Sequence, residues 1–202
     1  MLSRSKLLLA VLALSCASVA MADAEKLAAN CNACHGANGV STDANIPTIA
    51  GMSSKYLAGV FKAYKGKERP CAETDILTGA DKGKKNDMCK VIGALSDDDT
   101  KSLATYYSGK KFVASAQKFD AALAAKGKDI SKKCEKCHSD NGSKAGDDSG
   151  FLAGQRTGYL ATTLKDFAAG KRPMEKKMKA QFDELDQESL DALANYFASL
   201  GK

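Results

Sequence analysis

The chain has 202 residues, 44% hydrophobic and 27% charged, with a formal net charge of +6, no tryptophan and only two histidines. Eleven basic residues face eleven acidic ones over 23–109, and seventeen face thirteen over 110–202, an excess too small and too dispersed for a nucleic-acid binder. With two imidazoles in all, none is spare to complete a separate zinc site.

The chain opens with Arg4 and Lys6, an apolar stretch from Leu7 to Val19, and the small-x-small run Ala20-Met21-Ala22, the three parts of a secretory signal peptide covering residues 1–22. The apolar stretch is short for a bilayer span and nothing later approaches that length, so no transmembrane anchor is expected. Ala13-Leu14-Ser15 is a poor lipobox before Cys16; lipid attachment there is the alternative to a soluble, exported chain beginning at Asp23.

A first helix, Glu25 to Ala33, leads into Cys31-Asn32-Ala33-Cys34-His35, and a second, from about Phe119 to Glu135, into Cys134-Glu135-Lys136-Cys137-His138. Both runs are C-x-x-C-H, the pattern of covalent c-type haem attachment. On a helical turn its two thiols and imidazole share one face, so two thioethers can hold a porphyrin's edge while the histidine reaches its iron. The competing readings are a thioredoxin-like pair, which wants a βαβ context, and a zinc site, which wants four N/S ligands. Two covalent haems are the expectation.

Each motif is followed by a polar loop, Gly36 to Asn45 or Asp140 to Gly150, and then a helix, Ser54 to Lys65 or Thr157 to Ala168. The last helices open at Ser96, with Asp99 three residues on, and at Asp186, ahead of Leu190, Leu193, Ala194, Phe197 and Leu200 at helical spacing. No alternating strand pattern of useful length occurs. A shift of 103 superposes Cys31 on Cys134, Gly51 on Gly154, Tyr56-Leu57 on Tyr159-Leu160 and Arg69-Pro70 on Arg172-Pro173. Beyond that a shift of 90 superposes Met88 on Met178, Leu103-Ala104 on Leu193-Ala194 and Tyr106 on Tyr196, so the first copy carries thirteen extra residues. The expected architecture is all-α and duplicated: domain 1 over 23–109, a linker over 110–116 and domain 2 over 117–202. Each copy is small enough that a buried haem is a sensible filler for its core.

In this order of motifs the chain resembles the two-haem class I cytochromes c of the cytochrome c4 type, over nearly its whole exported length. The second half, with Leu152-Ala153-Gly154-Gln155 and Arg172-Pro173-Met174-Glu175-Lys176-Lys177-Met178, is especially similar to the cytochrome subunit of flavocytochrome c sulfide dehydrogenase. The resemblance implies two tandem class I cytochrome c domains, each wrapped around a covalent haem, in the periplasm of a Gram-negative bacterium. Its usual proline, whose carbonyl receives the axial histidine's N–H, is Pro47 in the first half, but Gly150 stands in that place in the second.

Four methionines follow the signal peptide. Met88 and Met178 superpose, each seven residues before Leu95 or Leu185, whereas Met52 aligns with Gln155 and Met174 has no counterpart. The expected axial ligands are therefore His35 and Met88 for one iron and His138 and Met178 for the other, with Met174 the rival to Met178. Such ligation leaves no open site for oxygen or peroxide, and the chemistry left is electron transfer without catalytic residues. The haem propionates, about four negative charges, roughly cancel the exported chain's excess. Partners are expected among redox proteins, including a terminal oxidase; the alternative is the haem-bearing subunit of a sulfide dehydrogenase whose flavoprotein half is a separate chain. Cys71 and Cys89 remain, an even pair in an oxidising compartment, expected as a disulfide rather than two buried thiols.

Overall fold

The computed structural model describes residues 23–114, 116–146 and 149–201; the expected signal peptide and Cys16 lie outside them. Its elements are α1 (23–35), α2 (Ser54–Lys65), β1 (Thr74–Asp75), β2 (Lys85–Asn86), α3 (Met88–Gly93), α4 (Asp97–Ser108), α5 (Ala121–Ser131), the single turn α6 (Ser139–Gly142), α7 (Thr157–Ala168), α8 (Lys176–Phe182) and α9 (Gln187–Ser199). β1 and β2 pair antiparallel, Thr74 opposite Asn86, within the thirteen-residue insertion. No helix among the described residues is long and apolar enough to cross a membrane.

Local chemistry sets the helix starts. Ser96 Oγ accepts from the Asp99 N–H at 3.1 Å while the Asp99 carboxylate accepts from the Ser96 N–H at 3.0 Å, a closed capping box at the head of α4. Asp186 does the same duty for α9, accepting from the Ser189 N–H at 2.8 Å, and Asp120 for α5. From these starts α4 buries Leu103, Ala104, Tyr106 and Tyr107, and α9 buries Leu190, Leu193, Ala194, Tyr196 and Phe197, each a stripe at helical spacing. One core joins α4 to Ala24 and Ala28 of α1, Leu57 and Phe61 of α2 and Ile92 of α3; the other joins α9 to Leu160 of α7. Where α5 crosses α9, a Cβ on Gly127 would sit 2.2 Å from the Ala192 carbonyl oxygen, so only glycine lets the two backbones meet.

The repeat is visible in the hydrogen bonds. The Gly39 carbonyl accepts from the N–H groups of Ile49 and Ala50, and Gly142, 103 residues on, from those of Leu152 and Ala153. Gly51 donates to the Tyr107 carbonyl and Gly154 to that of Phe197, both at 2.8 Å.

The helix read over Phe119 to Glu135 is shorter, and the second C-x-x-C-H lies in consecutive turns beyond its end. Ser131 Oγ turns back to the Lys128 carbonyl at 2.9 Å, and Cys134 N–H bonds to the carbonyl three residues back. Lys128, Lys132 and Lys136 recur at four-residue spacing, and like charges so placed oppose further helix. Helices α3 and α8 are too short to leave a periodic pattern and escape the sequence reading.

The halves meet through repeat-related positions used reciprocally. Gln155 is fully buried; its Oε1 accepts from the Thr48 N–H and its Nε2 donates to the Thr48 carbonyl, both at 2.9 Å. At the equivalent place Met52 Sδ accepts from the Phe151 N–H at 3.3 Å. Arg156 donates to the carbonyls of Asp43 and Thr42 at 2.7 and 3.0 Å, and the Tyr159 N–H to that of Ala44 at 3.0 Å. Phe112 from the linker stacks on Phe151 with ring centroids 4.3 Å apart.

Candidate functional site

In the first half the last turn of α1 carries Cys31, Cys34 and His35. His35 is buried, and its Nδ1 lies 2.8 Å from the Pro47 carbonyl oxygen. A carbonyl can only accept, so Nδ1 carries the proton and Nε2 keeps a free lone pair, the form a metal requires. Burial lowers the His35 pKa and keeps the ring neutral. Tyr107 fixes the same turn, donating to Asn32 Oδ1 at 3.0 Å.

In the second half Cys134, Cys137 and His138 line a cavity of about 700 Å³ together with Met174 and Met178. His138 Nδ1 is buried without a hydrogen-bond partner, and burial again lowers this pKa. A Cβ at Gly150 would stand 2.7 Å from Met52 Sδ and 3.0 Å from Tyr56, so side chains of the first half occupy the space that a proline ring would need. Burial pushes the Cys31, Cys34 and Cys134 thiols upward, opposite to the activated thiolate of a dithiol redox centre.

The cavity wall holds two cations at repeat-related positions. Arg69 lies over the Tyr64 ring at 4.7 Å and Arg172 over Phe167 at 4.3 Å, with Arg172 Nη1 bonded to Thr163 Oγ1 at 2.9 Å. Arg69 is 7% exposed and its Nε is buried without a partner; neither arginine forms an ion pair among the described residues. Burial raises the Tyr159 pKa, but the adjacent guanidiniums of Arg69 and Arg172 outweigh it and bring the phenol down to about 8. Tyr56, where burial dominates, is pushed up to about 12. A buried guanidinium at Arg69 and a half-buried one at Arg172, both lacking carboxylates, are costly as they stand. A large apolar ring system edged by carboxylates supplies both the filling and the counter-ions, which is the chemistry of a haem with its propionates.

Met88 opens α3 and, like Cys31, packs partly buried against the first core. Its predecessor Asp87 is 7% exposed and caps the helix, accepting from the Lys90 N–H at 2.9 Å with the Lys90 ammonium also 2.9 Å away; these hold its carboxyl below the ordinary range. Cys89 is disulfide-bonded to Cys71, their Cα atoms 5.6 Å apart.

The chain matches the Cytochrome c family over residues 21–108. It is 31% identical over 186 residues to cytochrome c4 of Stutzerimonas stutzeri, covering 84% of each chain. The chain belongs to the cytochrome c4 family. The crystal structure of reduced recombinant cytochrome c4 from Pseudomonas stutzeri superposes with a TM-score of 0.71 at 29% identity, over 88% of this chain and 97% of that one. Thiosulfate dehydrogenase TsdBA from Marichromatium purpuratum gives a TM-score of 0.67 at 25% identity, over 84% of this chain but 36% of that one. As a c4-type chain it is a dihaem class I cytochrome c, all-α with two tandem domains, two covalent c-type haems and an electron-transfer function.

The repeat displays Tyr56 with Tyr159 and Arg69 with Arg172 in sequence, yet nothing there gives them the shared wall on which they stand. Gln155 left no such trace: its partner position holds Met52, so repeat comparison reads both as unmatched.

Proposed function

We propose that this c4-type chain is exported to the periplasm after loss of residues 1–22 and relays electrons between redox proteins, with domain 1 over 23–109, a linker over 110–116 and domain 2 over 117–202. Cys31 and Cys34 hold one haem and Cys134 and Cys137 the other; His35 with Met88, and His138 with Met178, serve as axial ligands. Bound there, each haem supplies a one-electron Fe(III)/Fe(II) couple whose potential His/Met ligation raises. The chain's residues do the rest. Pro47 orients His35, the disulfide and Asp87 hold Met88 at the mouth of α3, and Arg69 and Arg172 offer positive charge to carboxylates between the domains. No residue of the chain is assigned to bond making.

The observation that carries this reading is the cavity that gathers Cys134, Cys137, His138 and Met178 in the same order of motifs that the first half repeats. Met174 lines the same cavity, and only the repeat favours Met178 over it. Intact mass should show two haems added to the chain starting at Asp23. The near-infrared methionine-to-ferric-haem band should halve in Met88→Ala and in Met178→Ala and stay whole in Met174→Ala; loss of half the band in the last variant transfers the ligand role to Met174.

A second reading, a haem subunit serving a separate oxidoreductase chain, draws support from the likeness to thiosulfate dehydrogenase TsdBA. The flavoprotein of a sulfide dehydrogenase is one form of that partner. Co-purification of a catalytic subunit under native conditions would favour this reading over a free carrier.

A further inference from the structure

The two C-x-x-C-H motifs differ in what covers them. In domain 1 the insertion folds back onto the motif: the N–H groups of Leu77 and Thr78 both donate to the Ala33 carbonyl at 3.1 Å, and Thr78 Oγ1 reaches it at 3.3 Å. The Asp75 carbonyl stands 4.0 Å from Cys34 Sγ. The β1–β2 pairing and the Cys71–Cys89 bond tie down the stem of this hairpin. Apart from Lys82 its charges pair internally, Lys84 with Asp81, Lys85 with Asp75, and Lys90 with both Glu73 and Asp87. Residues seated on a sulfur restrict approach to whatever is bonded to it.

Domain 2 has no such insertion, and Cys137 is exposed where Cys34 is half-buried. Lys136 precedes Cys137 directly and Lys177 lines the same cavity as Cys137; in sequence, residues 132–138 and 171–179 hold seven lysines against two glutamates, whereas residues 71–90 of domain 1 hold four of each sign and its motif, residues 29–35, holds none. Lys132, Lys133 and Lys179 have carboxylate partners in Asp129, Glu184 and Asp183. Among the described residues the exposed Lys136, Lys171, Lys176 and Lys177 form no ion pair. Unpaired cations beside an open motif raise the local concentration of negatively charged partners, a steering effect worth roughly 10- to 1000-fold in association rate.

We propose that the chain exchanges electrons with acidic redox proteins through the exposed Cys137 edge of domain 2, the disulfide-clipped hairpin partly covering the matching edge of domain 1. This rests on the two-haem reading above. The probe is ferricyanide, a small polyanion that takes one electron per molecule from the reduced protein and becomes ferrocyanide, with poly-L-glutamate as the competing acidic polymer. For the wild type the second-order rate should fall as ionic strength rises, and poly-L-glutamate should inhibit it. Lys136→Glu with Lys177→Glu should slow the reaction about tenfold at low salt and remove the inhibition. Lys82→Glu with Lys84→Glu, on the hairpin, should change the rate less than twofold. Equal losses in both variants, or no loss in the first, overturn the proposal. Intact mass on the same samples separates the two levels: fewer than two haems in the wild type sinks the underlying reading, and two haems with a rate indifferent to Lys136 and Lys177 sinks the docking surface alone.

Discussion

At the scale of single residues the two histidines are delivered by one motif and held differently. His35 donates its Nδ1–H to the Pro47 carbonyl, whereas His138 Nδ1 is buried without an acceptor among the described residues, and Met52 and Tyr56 crowd Gly150, which stands at the proline's place. The cysteines and histidines were legible in the sequence because thioether attachment fixes their spacing within five residues. The consequence of Gly150 was not, since it depends on a side chain ninety-eight positions away. Asp87 is a second residue whose weight emerges only in the fold, as the buried cap of the helix that presents Met88. Asp87→Ala should cost about 1 kcal/mol at neutral pH. The cap works as a carboxylate, and its folded pKa lies below the unfolded value of about 4. Its contribution is therefore complete above that unfolded value and is lost as pH falls through the lower folded one. Denaturation midpoints of wild type and variant should differ at pH 7 and converge in acid once the carboxyl is protonated; a gap that persists there would show that Asp87 acts by packing.

At the scale of elements, α2 and α7 sit at the residues their sequence predicts, because a Ser or Arg-Thr start and a Gly-containing end punctuate a clear apolar stripe. The stretch after α5 does not, since its lysines weaken a helix that apolar periodicity alone would extend. The insertion is the element with most consequence for the proposed ligand Met88. Its disulfide links residues eighteen apart, and closing such a loop limits the unfolded chain by about 3 kcal/mol in the entropic account. Cys89 directly follows Met88, so the bond anchors the ligand end of the long loop beside the Arg69-Pro70 corner. Domain 2 reaches Met178 by a short loop and has no clip. Reduction, or Cys71→Ser with Cys89→Ser, should release the Met88 sulfur on heating or at high pH before Met178 is affected, removing half the near-infrared band first. Simultaneous loss of both halves in the reduced protein would deny the disulfide this role.

At the scale of the whole molecule, duplication has produced a contact with the logic of a symmetric dimer inside one chain, since position 52 of the first copy and position 155 of the second each reach across to the other copy's loop. The symmetry is imperfect in a way that assigns the strength. Met52 offers a weak sulfur acceptor to one N–H, whereas Gln155 satisfies both backbone groups of Thr48 and also accepts from the Arg156 N–H at 3.1 Å. Gln155→Ala therefore strands a buried donor and acceptor and opens a void, and should cost about 2–4 kcal/mol. Gln155→Met restores volume and a sulfur acceptor but no donor, so its cost should fall between wild type and Gln155→Ala. Because the lost bonds run between domains, the damage should appear as uncoupling: calorimetry should resolve two transitions in the variant and a single one in the wild type, and small-angle scattering should report a larger radius of gyration for the variant. Met52→Ala should retain the single transition better than Gln155→Ala. If Gln155→Ala unfolds in one transition at the wild-type midpoint, the domains are held by the Phe112–Phe151 stack and the Arg156 contacts instead, and the glutamine is only a filler.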